Sequence, residues 1–336
     1  MSLAQELKQR AREAGAALAG IAQAQPAPEA ALLPGRLADG LGAALSFLKR
    51  DSAVRQDIRR WYPQARSVLV CGFCYSGAGK TGQNPGTGRI ARYAVHEDYH
   101  RDLKQRMSSV LSWWRRSSPG ADGRPFVDSS PVLERVYAAA AGLGWIGRNC
   151  LLVSETIGSF FLIAGLALNK PLDCDRAVPN RCGSCRRCID ACPTGALGRG
   201  SCLDAGRCTS YLTIEHRGPI PRERRAAMGR WVAGCDLCQE ACPWNGRRDG
   251  PAALQPLLPQ EAPLEELALT DETGFHARFG ATPLTRLKRQ GLVRNALLAM
   301  GNSQEPRFRK ILEGFLQDPD PVLREQALWS LARLPS

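Results

Sequence analysis

The stretch CGSCRRCIDACP, residues 182–193, places Cys182, Cys185, Cys188 and Cys192 in C-x2-C-x2-C-x3-C-P spacing. A second run, CDLCQEACP (235–243), sets Cys235, Cys238 and Cys242 ahead of another proline. Two-residue gaps let successive thiolates converge on one iron–sulfur cubane, while the last cysteine of each run reaches the neighbouring cluster. The spacing therefore predicts two [4Fe-4S] clusters. The second run lacks a first cysteine of its own, and Cys208 is the upstream residue to supply it, with Cys202 as the alternative. One cluster is then expected on Cys182, Cys185, Cys188 and Cys242, the other on Cys192, Cys208, Cys235 and Cys238. Structural zinc also uses C-x2-C pairs, but it explains neither the triple C-x2-C-x2-C nor the paired C-x3-C-P endings.

Around these runs, residues 176–250 are rich in Cys, Gly and Arg, with little apolar periodicity. Such a segment needs metal to fold, and its pattern is that of the bacterial two-cluster ferredoxins. It divides the 336 residues into a 1–175 segment, a 176–250 ferredoxin-like domain and a 251–336 tail. In the first, Leu3, Leu7, Ala11, Ala14 and Leu18 recur at helical spacing, SVLVCGFCYS (67–76) and GSFFLIAGLAL (158–168) read as buried strands, and 96–117 reads as a long helix. NCLLVSE (149–155) reads as a further strand. A turn at Asp128–Pro131 should start a helix, Ser130 as N-cap and Pro131 at N1, that ends near Gly142. Strands and helices mix without a βα repeat, so this segment is expected to be α+β. In the tail, RNALLAMGN (294–302) and REQALWSLAR (324–333) look alike. They predict a short HEAT-like helical repeat or two unrelated helices.

Of 13 cysteines, the five outside the predicted ligand sets include Cys71 and Cys74, which lie three apart on a strand and so face opposite sides, as buried thiols rather than a chelating pair. GAGKTG (77–82) follows a strand, but neither a phosphate loop nor a dinucleotide fingerprint fits its flanks. No triad or mononuclear metal motif is visible, and His96 and His100 lack the further ligands of a zincin. The net charge is +13; residues 1–175 carry 22 Lys and Arg against 15 Asp and Glu, 176–250 carry 13 against 7, and the tail 10 against 10. That balance fits a nucleic-acid partner, or an arginine-rich composition. No apolar run is long enough for a membrane span and the first residues hold no apolar leader core, so a cytoplasmic protein with no membrane partner is expected.

The segments GRIARYAVHEDYH (88–100), FVDSSPVLERVYAAAAGLGWIGRNCLLVSETIGSFF (126–161), RCTSYLTIEHRGPIP (207–221) and GCDLCQEACPWN (234–245), with the first cysteine run, resemble the cobalamin-dependent epoxyqueuosine reductases of tRNA modification over about residues 3–302. Arg148 departs from a commoner Lys, and His96–Glu97 from a commoner Gly-Arg or Gly-Lys. The resemblance implies a cobalamin-binding catalytic domain, a two-cluster domain and a helical-repeat tail. The implied reaction is reduction of epoxyqueuosine to queuosine at the tRNA wobble position, the last step of queuosine biosynthesis, with electrons passing through the clusters to cobalamin. It places the proton donor at Asp128, for which helix capping is the competing reading from sequence alone; a donor acid at neutral pH calls for a raised pKa. It points to Arg55, Arg148, Ser159, Ser210 and the Cys235–Asp236 pair for the corrin.

Arg222, Arg224 and Arg225, in HRGPIPRERRAAMGR (216–230), are candidate tRNA-phosphate contacts or a solvated helix face, with Arg294 and Arg324 as further basic helix starts. The substrate is expected to be tRNA carrying epoxyqueuosine, and the reductant an external flavodoxin- or ferredoxin-type donor; a monomer is expected. Competing readings are a reductive dehalogenase-like cobalamin enzyme acting on a small molecule, and an iron–sulfur electron-transfer adaptor without corrin.

Overall fold

The computed structural model describes residues 1–26, 28–75, 84–199, 202–246 and 252–335, with the backbone alone for Arg199 and Cys202. The GAGKTG loop and the Cys202 side chain lie outside the described residues. An antiparallel sheet runs in the order Leu18–Gln23, Ser67–Cys74, Phe161–Leu168, Gly123–Val127. Every residue of Ser67–Cys74 is buried, because helices cover both faces. Leu7 of the Leu3–Glu13 helix and Leu103, Met107 and Trp114 of the Tyr99–Ser117 helix pack with Leu69, Cys71 and Phe73 on one side. Tyr137 and Ala138 of the Glu134–Ala140 helix pack with Val68, Val70 and Cys74 on the other. Cys71 and Cys74 thus face opposite cores, as strand alternation requires.

Local chemistry fixes the helix ends. Ser2 and Gln5 close a capping box on the first helix. Asp98 caps the 99–117 helix, its carboxylate accepting from the His100 backbone N–H at 3.1 Å. The helix expected to open at Ser130 and Pro131 opens instead at Glu134, with Leu133 as N-cap and no side-chain cap. Residues 127–132 turn first: Ser130 N–H donates to the Val127 carbonyl and Val132 N–H to that of Ser130, each at 2.8 Å. The far end is as expected, Gly142 taking the left-handed φ of +77° just past the helix. The strand expected over 149–155 shrinks to Leu152–Val153, paired with Trp145–Ile146, because Cys150 turns the chain at φ +62°.

The boundaries at 175 and 250 do not coincide with cores. A second sheet sets Thr87–Ile90 between Trp231–Ala233, parallel, and Glu261–Pro263, antiparallel. All three sequence segments therefore share one sheet, and the core beneath it draws Ile90 and Val95, Ile214 and Val232, and Leu264, Leu297 and Phe308 together. No segment has enough apolar surface to close that core alone.

The tail is helical. Its Lys288–Ser303 and Pro321–Leu331 helices pack side by side, closely enough that a Cβ on Gly301 would stand 2.7 Å from Ser330 Cα. Both expected basic helix starts make hydrogen bonds within the protein. Arg294 is 2% exposed and donates to the carbonyls of Leu212, His216 and Gly218. Arg324 donates to those of Asp318 and Pro319. Among the described residues no helix is long and apolar enough to cross a membrane.

Candidate active site and cluster-binding region

Asp128 follows directly on the Gly123–Val127 strand, and its carboxylate caps no helix. It accepts from the Tyr99 hydroxyl at 2.5 Å and faces His100 Nε2 at 2.8 Å. His100 Nδ1 in turn lies 2.6 Å from Asp98 Oδ1, so the imidazole is held between two carboxylates. Tyr99 and His100 hold Asp128 from one side, yet 43% of its side chain is open to solvent. Burial pulls the His100 pKa down, but the two carboxylates outweigh it and raise it from 6.5 to about 9. For Asp128, burial pushes the pKa up, and the His100 and Tyr99 contacts outweigh that, holding it below the usual value. The raised pKa expected of Asp128 is therefore corrected: the proton resides on His100 and Tyr99, whose own pKa burial raises well above 10.

Arg55 lies under the same turn, 7% exposed, with Nη1 3.5 Å from the Ser130 carbonyl and its Nε buried without a partner. Asp236 is 1% exposed and accepts from the Arg92 backbone N–H at 2.8 Å. Burial raises its pKa to about 6. Burial pushes the Tyr93 pKa up, and the charges of Asp236 and Asp128 add to that. Ser210 sits half-buried beside Thr209, whose buried hydroxyl also lacks a partner.

Two of the residues expected at a corrin are engaged elsewhere. Ser159 is buried, its hydroxyl donating to Gln239 Oε1 at 3.0 Å, and its N–H to Asn245 Oδ1 at 2.6 Å. This contact needs Gly158, where a Cβ would fall 2.2 Å from Asn245 Oδ1. Arg148 donates to the Gly183 carbonyl at 2.8 Å, at the first cysteine run.

The thiols fall into two neighbourhoods. Cys242 feels the charges of Cys182 and Cys185, and Cys188 those of Cys242 and Cys182. These four line a cavity of about 120 Å³ with Trp244, Arg148, Arg181 and Arg187. Cys238 feels Cys208, Cys188 and Cys192, and Cys235 feels Cys208 and Cys238, so the two groups adjoin through Cys188. Among the described residues no three His, Cys, Asp or Glu side chains are gathered tightly enough to hold a metal ion. Trp145 Nε1–H donates to Cys182 Sγ at 3.4 Å. Around the first group Arg181, Gly183, Ser184, Arg186 and Arg187 are exposed, whereas around the second Thr194, Thr209, Gly234, Asp236 and Gln239 are buried.

The three arginines expected at tRNA phosphates differ in fate. Arg225 is corrected: it is 1% exposed, its Nη2 2.6 Å from Glu325 and its Nε donating to the Ile220 carbonyl, so it braces the tail helix. Arg222 shares Glu325 at 3.3 Å but is 69% exposed, and Arg224 has no ion pair among the described residues. Reading the sequence missed Tyr93, Asp98, Tyr99 and His100 as site residues. The signal was present in ARYAVHEDYH, where Asp98 and His100 stand two apart at a helix start.

Residues 181–245 match the family model of a 4Fe-4S double cluster binding domain, and residues 55–129 that of epoxyqueuosine reductase QueG. An epoxyqueuosine reductase of Gloeobacter violaceus is 36% identical over 89% of this chain and 96% of its own. That of Escherichia coli is 34% identical over 98% and 89%. An epoxyqueuosine reductase solved with an epoxyqueuosine-modified tRNA-Tyr stem loop superposes with a TM-score of 0.88 at 26% identity, covering 98% of this chain and 89% of that one. The enzyme from Bacillus subtilis, solved with its catalytic loop swung out of the active site, gives 0.88 at 26% identity over 99% and 90%. Since relatives so named run alongside both the Asp128 segment and the cysteine runs, across nearly the whole chain, this chain belongs to the epoxyqueuosine reductase family.

Proposed function

We propose that this chain reduces epoxyqueuosine to queuosine at the wobble position of a tRNA, using two [4Fe-4S] clusters and cobalamin, with Asp128 passing the proton. The observation that carries the reading is Asp128 itself, gripped by Tyr99 and His100 on one side and open on the other. Removing the epoxide oxygen to leave an alkene consumes two electrons and two protons and releases one water. Cobalamin, when bound, supplies a cobalt centre that can deliver an electron pair which clusters pass singly. The residues fit such a ligand: the amide-rich rim of a corrin suits the partnerless buried Arg55 Nε and Thr209 Oγ1, with Ser210 and Asp236 as further polar candidates. Ser159 supports this wall from behind, and Arg148 serves the first cluster.

The protons come from this chain. His100 stays protonated through neutral pH, and Asp98 holds its ring so that Nε2 points at Asp128. Asp128, a carboxylate at rest, takes the His100 proton and hands it to the oxygen leaving carbon; His100 then regains a proton from solvent and passes on the second by the same route, while Tyr99 keeps the carboxylate in place. Electrons enter at Cys182, Cys185, Cys188 and Cys242, whose neighbours are exposed, and pass to Cys192, Cys208, Cys235 and Cys238, next to Asp236.

The tRNA is gripped through phosphates and its affinity falls with salt. Arg224 and Arg222 contribute, and the tail, read as a short HEAT-like repeat, forms one wall. The enzyme works as a cytoplasmic monomer fed by an external one-electron donor. The test is anaerobic incubation with cobalamin, a strong reductant and tRNA carrying epoxyqueuosine, followed by nucleoside mass analysis. Queuosine should appear only with the complete mixture; a fully loaded protein that leaves epoxyqueuosine intact would sink the reading.

A further inference from the structure

Several arginines gather at the first cysteine group. Arg148, Arg181 and Arg187 line the same cavity as Cys182, Cys185, Cys188 and Cys242, and no carboxylate lines it. Arg187 is exposed and has no ion pair among the described residues. Arg181 meets Glu155 at 3.4 Å, with both side chains about half exposed, so solvent screens that pair. Arg186, exposed beside them, reaches Asp190 only at 3.8 Å. The second cysteine group has buried neighbours and offers no comparable surface.

We propose that this arginine collar is the docking surface for an acidic one-electron carrier protein, which reduces the first cluster by direct contact. The proposal rests on the reading of the eight cysteines as ligands of two [4Fe-4S] clusters. Electron transfer falls off exponentially with distance, so a donor's redox centre must come against the surface where a cluster lies shallowest. A cluster held by four thiolates is anionic, and becomes more so on reduction. An acidic donor would be repelled there unless fixed cations offset that charge, and Arg148, Arg181 and Arg187 stand where this is needed. Charge complementarity of this kind sets encounter rate and orientation more than lifetime, as a carrier that must leave after one electron requires.

The test uses the loaded protein without tRNA. Stopped-flow absorbance follows cluster reduction by a flavodoxin hydroquinone, and in parallel by a photoreduced deazaflavin too small to need a docking surface. In the Arg181→Glu/Arg187→Glu variant the bimolecular rate with flavodoxin should fall at least tenfold at low ionic strength and lose most of its salt dependence. The deazaflavin rate and iron content should stay close to those of the parent chain, with any shift of the cluster potential affecting both donors alike. Arg187→Gln, which removes one charge without reversing it, should give a smaller loss in the same direction.

An unchanged flavodoxin rate overturns the proposal. So does an equal loss of rate with the deazaflavin, which would make the arginines tuners of the cluster and not a docking surface. A fall in tRNA affinity with flavodoxin reduction untouched also overturns it, assigning the collar to phosphate. Iron analysis separates these outcomes from failure of the underlying reading, since a chain that assembles no clusters fails before any donor is added.

Discussion

Replacing Asp98 by Asn tests where the catalytic proton is kept. Asparagine is an equally good N-cap, so the 99–117 helix loses little. Its amide oxygen can still accept from His100 Nδ1–H at the present 2.6 Å, but the negative charge is gone. His100 owes its rise from 6.5 to about 9 to two carboxylates acting against burial. An opposite charge at contact distance is worth roughly 1–3 pH units, and partial exposure puts this one toward the low end, so the variant's imidazole should titrate near roughly 7.5–8. If that proton limits oxygen departure, the single-turnover rate of the parent enzyme stays level from pH 6.5 to about 8.5 and declines through about 9. In Asp98→Asn the alkaline limb moves down, so that the rates agree near pH 6.5 and differ roughly fivefold at pH 8.5. The assay is rapid-quench nucleoside analysis at saturating tRNA, with cobalamin and reductant held constant. A limb that stays at the parent's pH would show that the proton is not stored on His100. The sign of the stability effect follows from the same shift: the raised His100 pKa contributes fully below its unfolded value of 6.5, and the contribution is lost as pH rises through about 9.

Asp128→Asn should keep both clusters and bound cobalamin while losing turnover; near-normal rates would remove Asp128 from the chemistry. Cys208→Ala should reduce iron from about eight to about four per chain, whereas Cys202→Ala should leave it unchanged, and the reverse pattern in iron and sulfide analysis would exchange their roles. Trp145→Phe deletes the N–H···S contact to Cys182. The reduced, more negative cluster benefits more from that bond, so its midpoint should fall by roughly 30–60 mV in an EPR-monitored titration. Arg225→Ala removes a buried guanidinium and leaves Glu325 to Arg222 alone, so it should cost about 1–3 kcal/mol in anaerobic unfolding, while Arg224→Ala should stay within about 0.5 kcal/mol.

What the sequence disclosed and what it withheld follow from the range of the interactions. The cysteine runs are legible because cluster chemistry fixes their spacing within a few residues. The buried strand Ser67–Cys74 is legible because apolar β-branched composition is local. The partnership of His100 and Tyr99 with Asp128 is not, since it joins the start of one helix to the end of a strand nearly thirty residues later. Arg222, Arg224 and Arg225 read alike in the chain, and only Glu325, about a hundred residues on, decides which is a brace and which is free. The missed N-cap at Ser130 has a similar origin. Cap and Pro-N1 signals were present, but the chain first spends residues 127–132 on a turn that presents Asp128 to the opening.

The sheet that joins Trp231–Ala233, Thr87–Ile90 and Glu261–Pro263 also dictates an order of events during synthesis. Its central strand emerges from the ribosome early, yet both neighbours follow more than a hundred residues later. Until residue 263 is available, Thr87–Ile90 is an unpaired edge over an open apolar core, a template for aggregation. Closure across such separations is slow. Throughout that interval all eight thiols have been translated or are about to be, and the segment carrying them is not yet clamped by its third strand. Iron and sulfide can therefore be delivered before the core closes, and a chain cut short of residue 263 would hold its cysteines but never the sheet that fixes them beside Asp128.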